Sequence, residues 1–186
     1  MRILILISIL FLWLPLVNFN NEIRCAHQCE HTLVDKINMW ARNVKEITIP
    51  SEEFAKYCII VFWCESRLNK NNHNGTQQSL FQITKRNREL LGIPELHDCT
   101  EEEVLDYYYL YLKQTKKLHL VKSALDLHVL NAAPSRFNQK ILLHVRGNLK
   151  YLDYDKNKII NREDLAEFQL RCCREPAFLQ RPTQQY

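Results

Sequence analysis

Residues 50–67 read Pro50-Ser51-Glu52-Glu53-Phe54-Ala55-Lys56-Tyr57-Cys58-Ile59-Ile60-Val61-Phe62-Trp63-Cys64-Glu65-Ser66-Arg67. Pro50-Ser51-Glu52-Glu53 supplies an N-cap and an acidic first turn, so the stretch predicts a helix through Phe54, Cys58, Ile59, Val61 and Phe62 to about Arg67. The helix is nearly all apolar, and such a helix has to be buried. A chain of 186 residues, 46% apolar and 25% charged, falls in the range of ordinary globular proteins and is read as one domain around it.

Upstream, Leu33, Ile37, Trp40 and Val44 recur at helical spacing and predict an amphipathic scaffold helix ending before Ile49-Pro50. Downstream, Asn71-Asn72-His73-Asn74-Gly75-Thr76 is a polar loop with an Asn-Gly turn signal, and Asn74-Gly75-Thr76 is a glycosylation sequon in a eukaryotic host. A short helix after Thr84 stops near Gly92-Ile93-Pro94, with the glycine at C′. Thr100-Glu101-Glu102-Glu103 is a capping box for a longer helix, whose tyrosines Tyr107, Tyr108, Tyr109 and Tyr111 are assigned to core and rim. Residues 123–133 read as a further helix ended by Pro134. Phe137, Ile141 and Val145 define the next, closed by Gly147, and residues 162–174 the last, before a frayed tail over 180–186. There is no convincing run of strands.

Only three glycines occur, Gly75, Gly92 and Gly147. They cannot build a glycine-rich phosphate cradle or a dinucleotide fingerprint, and so few disfavour a turn-rich β architecture. The expected fold class is all-α, with an α-rich α+β fold as the alternative. No nucleic-acid partner is expected.

The chain begins Met1-Arg2 and continues with an apolar run over 3–17 interrupted only by Ser8 and Pro15. A short positive start before a run too short to span a bilayer comfortably is the grammar of an export signal, here assigned to residues 1–21. Small residues are missing from the usual cleavage positions, so an uncleaved membrane tether is the alternative. Removing these residues lowers the formal net charge from +4 to +3 by deleting Arg2. Seven cysteines follow: Cys25, Cys29, Cys58, Cys64, Cys99, Cys172 and Cys173. An odd number leaves at least one thiol unpaired, and no pairing is assigned. Cys25, Cys29, His27 and His31 have spacing that could hold zinc; disulfides tying the N-terminal segment to the tail are the preferred reading.

Glu65 follows Phe62, Val61 and Cys58 at i+3, i+4 and i+7, which places a carboxylate on the apolar face near the C-terminal end of the buried helix. Desolvation and the negative end of the helix dipole disfavour its ionised form, so the expectation is a raised pKa and a general acid. The competing reading lets Glu65 turn to solvent and pair with Arg67 or a lysine.

Three segments in order carry a resemblance: Glu65-Ser66 with Asn69; Ser79-Leu80-Phe81-Gln82-Ile83; and Asn131-Ala132-Ala133-Pro134. They resemble the Glu-Ser…Asn, Gly-Leu-Met/Phe-Gln-Ile and Tyr-Asn-Ala-Gly-Pro motifs of lytic transglycosylases with a lysozyme-like domain, over about residues 50–147. The resemblance implies a lysozyme-like helical domain in which Glu65 is the sole catalytic acid and base. It would act on the bond between N-acetylmuramic acid and N-acetylglucosamine of peptidoglycan. Ser66 would shape the helix end, Gln82 would line the cleft and bind the glycan, and Ser79, Leu80 and Phe81 would flank it. Asn131 would present its amide to the N-acetyl or lactyl region. The sugar's own 6-hydroxyl replaces water in this family, giving a 1,6-anhydro product without a second carboxylate. Asp98 and Asp126 are accordingly read as solvated charges, and Glu101 as part of a capped first turn. The sequence departs from the motifs at Ser79 for glycine, Lys70 for proline, and Leu130 and Ala133 for tyrosine and glycine. The tyrosine normally hydrogen-bonds near the acid in this family, so the resemblance implies either weakened catalysis or a replacement by another tyrosine such as Tyr107 or Tyr108 from the neighbouring helix.

Asp153, Asp155, Asn157, Ile159, Asn161 and Asp164 occupy positions 1, 3, 5, 7, 9 and 12 of an EF-hand-like loop, a spacing that wraps oxygens around calcium. Lys158 replaces the turn glycine, and Asp164 is shorter than the usual bidentate glutamate. The alternative is a loop whose Asp and Asn residues cap the next helix. Calcium, if bound, would be structural, and no cofactor is required.

The organisation expected is thus a signal or anchor over 1–21, a lysozyme-like domain over 22–147, and an EF-hand-like loop, C-terminal helix and tail over 148–186. The expected protein is exported to a periplasm, cell envelope or medium and acts on peptidoglycan strands. Its rivals are a goose-type lysozyme-like hydrolase and a non-catalytic peptidoglycan-binding or calcium-stabilised module.

Overall fold

The computed structural model describes residues 33–74, 77–145 and 151–174. The expected signal or anchor, Cys25, His27, Cys29, His31, Gly75, Thr76, Gly147 and the tail over 180–186 lie outside the described residues.

Helix α1 covers 33–41 and buries Leu33, Ile37 and Ala41. Helix α2, Ser51–Ser66, forms where the apolar run requires it and buries Phe54, Ala55, Cys58, Val61 and Phe62 completely. Its N-cap is Pro50 without a side-chain hydrogen bond, and Glu52 and Glu53 occupy the first turn. Arg67 and Leu68 both take left-handed backbone, with φ 59° and 61°, so the chain reverses sharply one residue after Glu65-Ser66. The Leu68 amide reaches back to the Phe62 carbonyl at 3.3 Å, occupying one of the carbonyls a helix end leaves over.

After this reversal a three-stranded antiparallel sheet forms from β1 (His73–Asn74), β2 (Gln77–Gln78) and β3 (Ile83–Thr84), in that order. Two residues per strand are too few to leave an alternating pattern in the sequence. Helix α3, Lys85–Leu90, starts with the Thr84 hydroxyl accepting from the Asn87 amide at 3.2 Å, and Gly92 follows its end at φ 65°. Helix α4, Glu101–Gln114, carries the Thr100/Glu103 capping box and buries Val104, Leu105, Tyr108, Tyr111 and Leu112, while Tyr107 and Tyr109 are half-buried. Helix α5, Ala124–Ala132, is capped by Ser123.

The helix expected from Phe137, Ile141 and Val145 is not formed. Pro134–Arg136 makes a 3-10 turn, and Ile141–His144 is strand β4, paired antiparallel with β5, Ile159–Asn161. Spacing by four over three apolar residues also fits a short extended segment, and the Ile159-Ile160 edge supplies a partner for its backbone. Helix α6, Arg162–Cys173, continues from β5 and packs with α2 and α5, burying Leu165 and Cys172 in the common core. Among the described residues the fold is helix-rich with two small sheets, the α-rich α+β alternative. No described helix is long and apolar enough to cross a membrane.

Aromatic packing fixes the segment between β2 and β3. The Tyr108 ring lies 4.8 Å edge-on from Phe62 and 4.9 Å from Phe81, and Phe81 lies 5.9 Å from Tyr111. The 79–82 turn is thereby clamped between α2 and α4. Thr100→Ala removes the capping box of α4 and is expected to lower stability by about 1 kcal/mol, read as a lower urea midpoint at unchanged slope.

Candidate functional site

Glu65 lies in the last turn of α2, and α5 crosses that end of the helix. His128 Nε2 is 3.0 Å from Glu65 Oε1, and Asn131 Nδ2 donates to the same oxygen at 3.3 Å. His128 and Asn131 are three residues apart on α5, and therefore on one face. The Glu65 side chain is 20% exposed and that of His128 is 1% exposed. The carboxylate is thus not isolated in apolar surroundings, as the helix pattern suggested, nor does it turn to Arg67. Arg67 Nη1 donates to the Trp63 and Cys64 carbonyls at 2.7 and 3.2 Å. Among the described residues Glu65 Oε2 has no hydrogen-bond partner.

Each of the other expected site residues has a definite place. The buried Ser66 hydroxyl donates to the Phe62 carbonyl at 2.9 Å and so belongs to the helix end. Ser79 is buried at φ 70°, its hydroxyl without a partner among the described residues; a left-handed residue here accounts physically for glycine at this place in the motif it resembles. Leu80 and Phe81 are core. Gln82, also left-handed, uses its amide nitrogen on the Ser79 and Asn72 carbonyls at 2.7 and 3.4 Å, so that nitrogen serves the turn itself. Asn131 spans the site, its amide nitrogen donating to the Phe81 carbonyl at 3.2 Å as well as to Glu65, while its buried Oδ1 lacks a partner among the described residues.

Tyr107 and Tyr108 do not take over the missing tyrosine's contact, since the side chains on the carboxylate are those of His128 and Asn131. The Tyr108 hydroxyl is buried without a partner. Tyr111 instead donates to the Asn131 carbonyl at 2.7 Å. Burial, with the Glu65 charge nearby, pushes the Tyr111 hydroxyl up to about 12, so it remains a donor through neutral pH.

Two contributors were not legible as site residues. His128 sits on the face of α5 that carries Asn131, a spacing that could have marked it. Gln169, on α6, left no signal; its Nε2 lies 3.0 Å from His128 Nδ1 and donates to the Ala124 carbonyl at 3.1 Å. Asp126 is also not the solvated charge expected, because its side chain is 18% exposed, accepts from the Lys122 amide at 3.1 Å and pairs with Arg162. Asp98 is solvated, with its side chain 83% exposed.

A hollow of about 230 Å³ opens beside the sheet, lined in part by Lys70, Asn72, His73, Gln78, Ser79 and His97. Asn72 Nδ2 donates to the Glu65 backbone carbonyl at 3.4 Å, which brings the hollow next to the end of α2, although the Glu65 side chain is not part of its wall.

In the 153–164 loop, Asn161 and Asp164 form the capping box of α6, so the capping role foreseen for these residues is present. Asp164 also accepts from the Tyr154 amide at 3.2 Å, Asp155 binds Asn157, and Asn157 Oδ1 accepts from the Ile159 amide at 2.7 Å. Lys158, where glycine was expected, is left-handed at φ 65°, and its amide donates to Asp153 Oδ2 at 3.1 Å. Asp153 Oδ1 is buried without a partner among the described residues. Among the described residues no group of three or more His, Cys, Asp or Glu side chains is arranged to hold a metal.

No family model matches the chain, and neither a curated protein nor a solved structure matches it. Ser79→Gly relieves the left-handed backbone and removes an orphaned hydroxyl; it is expected to raise stability by about 1 kcal/mol, measured as a higher thermal midpoint.

Proposed function

We propose that the protein is a lytic transglycosylase that cleaves peptidoglycan glycan strands between N-acetylmuramic acid and N-acetylglucosamine, with Glu65 as its one acid and base. The observation that carries this reading is the Glu65 carboxylate at the end of a buried helix, held through Oε1 by His128 and Asn131 with Oε2 left over. The three motif-like segments meet around it: Ser66 ends the same helix, Phe81 of the second accepts from Asn131, and Asn131 belongs to the third.

In the proposed step the proton on Glu65 passes to the glycosidic oxygen as the C1–O bond breaks, its electron pair going to the departing oxygen. The 6-hydroxyl oxygen of the muramic residue forms the new bond to C1 and gives its proton to the Glu65 carboxylate. Acid and base are the same group in sequence, and no water is consumed. Among the described residues the buried Ser79 hydroxyl and Asn131 Oδ1 have no partner and therefore have hydrogen-bonding capacity to spare. Export to a cell envelope belongs to the same proposal, resting on the N-terminal signal grammar.

Purified peptidoglycan incubated with wild type and with Glu65→Gln decides it. Wild type is expected to release anhydro products lighter by one water than hydrolysis products, and Glu65→Gln to slow release by about 10² or more with folding retained. Products carrying the extra water identify a hydrolase. Equal behaviour of the two proteins, with binding to the wall retained, identifies a non-catalytic module.

The 153–164 loop enters the proposal as a structural calcium site, with Asp153 Oδ1 as the oxygen that still lacks a partner. Added calcium is expected to raise the melting temperature and Asp153→Asn to remove the rise; no rise in wild type refutes the site.

A further inference from the structure

The contacts around His128 settle which of its nitrogens carries hydrogen. Gln169 Nε2 is 3.1 Å from the Ala124 carbonyl, which only accepts, so the amide end placed there is the nitrogen and not the oxygen. That same nitrogen is 3.0 Å from His128 Nδ1. An amide nitrogen donates and does not accept, so Nδ1 must be the bare nitrogen of the ring. The ring hydrogen therefore sits on Nε2, 3.0 Å from Glu65 Oε1. An imidazolium would set an Nδ1–H against an amide hydrogen. Phe168, with its ring centroid 5.9 Å from that of His128, stands beside a ring that is itself only 1% exposed, so water has little access to relieve such a clash.

The consequence falls on Glu65. Its Oε1 faces two donors, the His128 ring N–H and the Asn131 amide, and cannot itself carry a hydrogen directed at either. We propose that His128, locked by Gln169 as its Nε2–H tautomer, is a positioning residue that holds Glu65 through Oε1 and assigns the acid's proton to Oε2. This inference rests on Glu65 being the acid of the proposed reaction. The chain of contact runs from α5 to α6, back to α5 and on to α2: Ala124 carbonyl, Gln169 amide, His128 ring, Glu65 carboxylate. It gives the site a donor where the resembled motif has a tyrosine, from a residue two positions earlier in the sequence than Leu130.

The test has one arm that does not need activity. In the full-length protein with ¹⁵N-labelled histidine, the His128 ring, assigned by its loss in His128→Gln, is expected to show a protonated Nε2 and a bare Nδ1 at neutral pH. In Gln169→Met that preference is expected to weaken. A protonated Nδ1 in wild type overturns the proposal, whatever the enzyme does. The second arm is kinetic. With peptidoglycan as substrate, His128→Phe is expected to lower kcat by about 10- to 100-fold with KM little changed, the range of a hydrogen bond to a charged group. His128→Gln, whose amide can stand in for the ring N–H, is expected to recover part of the loss, and Gln169→Met to fall between wild type and His128→Phe. A His128→Phe protein as fast as wild type, or a loss confined to KM, overturns it. A wild type that leaves peptidoglycan intact removes the proposed reaction, and with it the acid this inference serves, while the tautomer is still read from the ring signals.

Discussion

One carboxylate oxygen joins three helices. Glu65 Oε1 of α2 meets His128 Nε2 and Asn131 Nδ2 of α5, and the far nitrogen of His128 meets Gln169 of α6. Further polar contacts cross these interfaces, from Trp63 to the Cys172 carbonyl and from Arg162 to Asp126, and the apolar contacts between them fix closeness more than register, because hydrophobic contact has no direction. Hydrogen bonds supply the register. Sliding α5 by one turn against α2 would strand buried polar groups on both, and an unsatisfied buried group costs about 1–3 kcal/mol. The arrangement that holds the Glu65 carboxylate is therefore the same one that specifies how the helices pack.

The Asn131 amide extends this to the 79–82 turn. Its nitrogen holds the Phe81 carbonyl, the Phe81 ring sits under Tyr108 and Tyr111, and Tyr111 returns to the Asn131 carbonyl. Polar and aromatic contacts thus close a circuit through α2, α4, α5 and the turn. Four left-handed residues other than glycine, Arg67, Leu68, Ser79 and Gln82, lie at the two bends of this circuit. Each costs backbone energy that surrounding contacts must offset, and such residues concentrate where position matters more than stability.

Much of the helical scaffold was legible because its signals are local. The Thr100/Glu103 capping box, Thr84 and Ser123 as caps, Gly92 after α3 and the apolar run of α2 all depend on neighbours within one turn. What failed depends on partners far away in sequence. Ile141 became strand because Asn161 lies opposite it, and Asp126 left solvent because Arg162 reaches it. The position of Glu65 at a helix end followed from periodicity, whereas its partner His128 could be suspected only from its spacing to Asn131, and Gln169 not at all, since nothing near either residue in the chain encodes a contact 41 residues away.

The short ladder of β4 and β5 has a bearing on the orientation of α6. Strand β5 ends at Asn161 and the helix begins at Arg162 with no linker between them, so the strand's hydrogen-bond pairing also sets the helix's rotation about its own axis. One residue inserted between strand and helix would turn α6 by about 100° and carry Gln169 away from the imidazole. Two strands of four and three residues thus act as the indexing pin for the Gln169–His128–Glu65 contacts, in which neither takes part.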